Sequence, residues 1–214
     1  MLVGRPEEQK KFFLHEQLLT TRSLFFKKAM SGIWSETKKQ TVELPEEDPD
    51  PFHLYVDLLY AGRLAVVAAS PPEHKHWNIE STTLAKVYVL AEKLQDSDAK
   101  NKALAAILVG SVEKRSDGIE YFPGLDAIKI ICEGTPADAK ARKLIVDLYT
   151  ARSNDTWIGN EELPDEFIRK LLLNVLKKRP QTPVVVDTTN ITPYMEDVYV
   201  QGLWRTMTTP ILLE

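Results

Sequence analysis

In "FFLHEQLLTTRSLFF", residues 12–26, an imidazole and a hydroxyl stand between apolar clusters, as His15 and Ser23. A serine nucleophile with a histidine base would perform acyl transfer. That chemistry also needs an acid to orient the imidazole and N–H donors for the oxyanion. The chain has no G-x-S-x-G turn between a strand and a helix to supply them. A structural reading fits better. Ser23 precedes Leu24, Phe25 and Phe26, where its hydroxyl can accept from an unpaired backbone N–H and cap a helix. His15 then sits at a strand-to-helix junction.

Other reactive residue types are weighed in the same way. In "HKH", His74 and His76 would share a side of an extended chain, but two imidazoles fall short of the four ligands of structural zinc. They are read as part of a solvated loop. Cys132 lies on an apolar helical stripe, and a buried thiol behaves as a small hydrophobe unless a cationic setting activates it. The acidic run "EEDPD", residues 46–50, reads as a turn leading into a helix cap at Asp50. Phosphate- and dinucleotide-binding glycine motifs are missing. No residue is assigned to catalysis, to a cofactor or to a metal, and the chain is read as a non-enzyme; a hydrolase using Cys132 or the His74/His76 loop is the remote alternative.

The elements that hold these residues follow from hydrophobic period and end signals. "LV" at 2–3 and "KFFL" at 11–14 read as a strand, a turn and a strand. "LHEQLLTTR" reads as a short helix with Leu18 and Leu19 inward. The helix begun by Ser23 ends near Gly32, and "QTVEL" follows as a strand with Val42 and Leu44 on one face. "DPFHLYVDLLYAG" has Asp50 as cap, Pro51 at the first helical position and Gly62 at the exit, with Phe52, Val56, Leu59 and Tyr60 as its stripe. The loop reading then extends through "VVAASPPEHKHWNIES". From residue 82 the chain is helical: Leu84, Val87, Tyr88, Ala91 and Leu94 on one helix, Ala103, Leu104, Ile107, Leu108 and Ser111 on the next. Further helices carry Leu125, Ile128 and Cys132, then a segment capped by Thr135. Phe167, Leu171, Leu172 and Val175 form the core face of the last one, which Pro180 stops.

Composition narrows the function. A hydrophobic share of 43% with 27% charged residues fits a folded globular chain. A net charge of −4 without a basic arm leaves no footprint for duplex nucleic acid. A single cysteine excludes an internal disulfide and points to a reducing, intracellular setting, cytoplasm or nucleus. No apolar run approaches a membrane span, so no membrane partner is expected, and with no residue assigned to catalysis or a cofactor no small-molecule substrate is expected either.

In order and spacing, Phe12, Leu14, His15, Leu18, Leu19, Ser23, Phe26, Val42, Leu44, Phe52, Leu59, Tyr60 and Gly62 resemble the BTB/POZ domain. "VYVLAEKLQDSDAKNKALAAI", residues 87–107, looks like that family's later helical pair. The resemblance implies an α+β fold, a small mixed sheet flanked by helices, over residues 1–110. Residues 111–180 resemble the helical extension of stand-alone fungal BTB proteins, and 181–214 read as an irregular tail, forming a short strand pair or hanging free. The family usually has a further strand upstream of the first one here. Its dimers use those N-terminal residues, which leaves Leu2 and Val3 as the candidate dimer contacts.

The resemblance also implies a function by binding proteins. In "IWSETKKQ", residues 33–40, Trp34 and Glu36 match in register a hydrophobic–x–glutamate pattern that helps the family engage a cullin-type ubiquitin-ligase scaffold. A bulky apolar anchor with a directed carboxylate suits such a contact. The expected role is an interaction module, as a substrate adaptor for a cullin-RING ligase or, alternatively, as a homodimeric scaffold. His15, Ser23, Asp50 and Gly62 are expected to hold the shape.

Overall fold

The computed structural model describes residues 1–31, 41–64, 74–114, 117–152, 162–178, 198–200 and 203–205. Met1–Lys178 forms one compact unit and Arg179–Glu214 another. Trp34 and Glu36 lie outside the described residues.

The first unit opens with β1 (Leu2–Val3) and β2 (Lys10–Lys11), which pair antiparallel. β3 (Glu43–Leu44) pairs parallel to β1, with Leu2 opposite Glu43 and Val3 opposite Leu44. The sheet order is therefore β2–β1–β3. Between β2 and β3 lie α1 (Glu16–Arg22) and α2 (Leu24–Ala29). Ser23 joins them as predicted, accepting from the Phe26 N–H at 3.2 Å. Among the described residues, this small mixed sheet with many helices is the expected α+β architecture.

α3 (Pro49–Ala61) ends at Gly62, whose φ of 69° is the left-handed conformation a glycine adopts without a Cβ penalty. Its start differs from expectation. Asp48, not Asp50, caps the helix, accepting from the Asp50 N–H at 3.0 Å. "DPDP" offers two equivalent Asp-Pro frames, and the earlier is used, with Pro49 in the first turn. The Asp50 carboxylate instead pairs with Lys10. The buried face is also rotated from the expected stripe. Tyr55 and Leu58 join Phe52 and Leu59 inside, while Tyr60 is about half exposed.

α4 (His74–Lys93) and α5 (Ser97–Val112) form a hairpin. α4 starts well before the helix expected from residue 82. Trp77, Ser81, Leu84 and Tyr88, all buried, already carry the helical period through "HKHWNIES". The helical backbone at 74–76 also removes the extended geometry that would have aligned His74 with His76, since positions two apart do not share a helix face. α6 (Leu125–Gly134), α7 (Lys140–Arg152) and α8 (Asp165–Lys178) follow among the described residues. Thr135 does not cap α7; it closes α6, donating from its hydroxyl to the Ile131 carbonyl at 2.5 Å.

Two hydrophobic cores result among the described residues. One gathers Val3, Leu19, Phe26, Phe52, Tyr55 and Leu58 with Leu90, Ala91, Leu94 and Ala99. The other gathers Trp77, Leu84, Tyr88 and Ile107 with side chains of α6, α7 and α8, including Ile128, Ile131, Ile145 and Phe167. The α4–α5 hairpin supplies residues to both. A boundary at residues 110–111 thus falls inside α5, within the compact unit. Cys132 is only partly buried beside the second core. On α8, Leu172 and Val175 were expected inside but are 55% and 44% exposed, because α7 covers only the Phe167–Leu171 side.

The second unit is described at β4 (Val198–Val200) and β5 (Leu203–Arg205), an antiparallel pair with Tyr199 opposite Trp204.

At Gly110 the hairpin is so close that a Cβ would lie 2.1 Å from Trp77 Cζ3. Gly→Ala inside an exposed helix normally stabilises by about 1 kcal/mol. Here Gly110→Ala should destabilise, by about 1–3 kcal/mol of overpacking, read as a lower denaturant midpoint at unchanged slope.

Candidate functional site

Two of the buried polar groups of the first unit, Ser23 and Asp96, meet at the turn between α4 and α5. The α4 backbone ends at Leu94, whose carbonyl accepts from Ser23 Oγ at 2.5 Å and from the Phe25 N–H at 3.4 Å. Gln95 takes a positive φ of 55°. Asp96 then caps α5, with Oδ1 accepting from the Ala99 N–H at 2.9 Å. Its Oδ2 accepts from Tyr55 Oη at 3.1 Å, and Arg22 Nη2 lies 3.4 Å away. Arg22 reaches on to Asp98 Oδ2 at 2.6 Å. Burial, and after it the Asp96 charge, pushes the Tyr55 phenol far above its usual range, so it remains a donor.

A second polar junction sits in the helical extension. The nearly buried Arg142 of α7 donates from Nε to Thr135 Oγ1 at 3.0 Å. Its other nitrogens donate to the carbonyls of Cys132 and Thr135, at the C-terminal end of α6, and to the Glu166 carboxylate on α8. One guanidinium therefore ties three helices, and it satisfies carbonyls that a helix end leaves open. Among the described residues, both junctions hold the chain together, and neither lines a reactive cleft.

The sequence-predicted residues fit this pattern. Ser23 is buried, its hydroxyl donating to Leu94 and accepting from Phe26, which leaves it no role as an exposed nucleophile. His15 stands before α1, with Nδ1 2.8 Å from Tyr60 Oη, and its backbone N–H donates to the same oxygen at 3.2 Å. Burial raises the Cys132 thiol above its usual value, with Arg142 opposing in part, so it is not a ready thiolate. No group of three or more His, Cys, Asp or Glu residues could hold a metal ion among those described. Val3 is fully buried in its own core, and β1 is hydrogen-bonded to a strand on each side.

Asp96 and Arg142 were not singled out in the sequence. "QDSDAK" does carry a helix-cap signal, Asp96 before Ala99, of the kind recognised at Ser23. Arg142 left none, because its acceptors are carbonyls brought together only by the fold.

The exposed surface is where binding can occur. Phe13 is 84% exposed, with Lys11 Nζ 4.9 Å from its ring centre, and Leu24 is 54% exposed. An open groove of about 480 Å³ is lined by His15, Leu18, Thr21, Arg22, Leu59 and Tyr60, among others. None of the described helices is long and apolar enough to cross a membrane.

A protein-family model described as the BTB/POZ domain matches residues 2–108, half of the chain. No curated protein matches it. The match begins at β1 and ends inside α5, so it includes both Ser23 and Asp96.

Replacing Asp96 by Ala should remove the α5 cap and leave Tyr55 Oη unpaired, costing about 2–4 kcal/mol in denaturant unfolding. Cys132→Ala, by contrast, should cost less than about 1.5 kcal/mol, as expected of a half-buried side chain that loses only its sulfur.

Proposed function

The chain belongs to the BTB/POZ family, and from that footing we propose that it is a non-enzymatic adaptor that engages a cullin-type ubiquitin-ligase scaffold through Trp34 and Glu36. BTB domains are protein-interaction modules, and that much follows from membership. The observation that carries the finer reading is the placement of "WSE" in the chain. In the sequence it lies between α2, which ends at Ala29, and β3, which begins at Glu43, and it resembles the family's hydrophobic–x–glutamate pattern. An apolar anchor seated in a partner pocket, with a carboxylate at its rim, is the residue chemistry of an interface hot spot.

The polar geometry supports a binding role over a reaction. Ser23, Asp96 and Arg142 are engaged in backbone and helix-end hydrogen bonds rather than aimed together at a cavity. A homodimeric scaffold joined through Leu2 and Val3 has less support, because Val3 is buried within its own chain.

The test is a pull-down of purified cullin N-terminal regions by the full chain. Retention should fall at least about tenfold on Trp34→Ala with Glu36→Lys, as for loss of a hot spot. Equal retention by the unaltered and the doubly substituted protein, or none by either, would remove the cullin reading.

A further inference from the structure

We draw no further inference here: the strongest candidate, the exposed apolar stripe of Ile168, Leu172, Val175 and Leu176 on α8, carries nothing because no feature of the described residues shows what covers it.

Discussion

The Asp96 carboxylate has no access to water, and that single constraint organises the first half of the molecule. A buried, unpaired charge costs several kcal/mol. Asp96 avoids this only because the Tyr55 hydroxyl, the Ala99 N–H and the Arg22 guanidinium converge on it. Those groups come from α3, α5 and α1. Two residues earlier, the Leu94 carbonyl holds Ser23 and Phe25, and through them α2. Among the described residues, every helix of the first core is thus fixed to one turn, and the direction in which α4 and α5 leave it is set as well.

Because α4 and α5 run on into the second core, the extension is not an appendage. Trp77, Leu84, Tyr88 and Ile107 belong to the hairpin, yet their packing partners include α6, α7 and α8. The second core has its own polar centre, with the Arg142 guanidinium closing the end of α6 and pairing with α8. The same solution appears twice: one buried charged group, donors or acceptors from separate helices, and a helix terminus satisfied in passing. Polar chemistry used in this way leaves function to surfaces, which suits a BTB/POZ protein.

The sequence made local structure legible where one short signal settles it. Ser23 before an apolar run, Gly62 after one, and the alternation of core positions from Leu84 to Leu94 are of this kind, and the structure bears them out. Signals with two equivalent solutions were ambiguous: "DPDP" supports a cap at Asp48 or Asp50, and Thr135 can start a helix or end one. Others were tertiary in origin. Tyr60 turns outward to His15 because Tyr55 is drawn inward to Asp96, a choice that no periodicity contains. Leu172 and Val175 have the period of core residues, but burial depends on a neighbour, and α7 covers a different side. The family itself was legible, because motif order survives where individual contacts do not.

Native-state hydrogen exchange on the full chain tests the central claim most directly. If the α4–α5 hairpin joins the two cores into one unit, the slowest amides of α3 and those of α6 and α7 should exchange through a common opening. Their free energies should then agree within about 1 kcal/mol and fall together with added denaturant. Protection of α3 persisting while α6 and α7 exchange through a separate, lower-energy opening would contradict it.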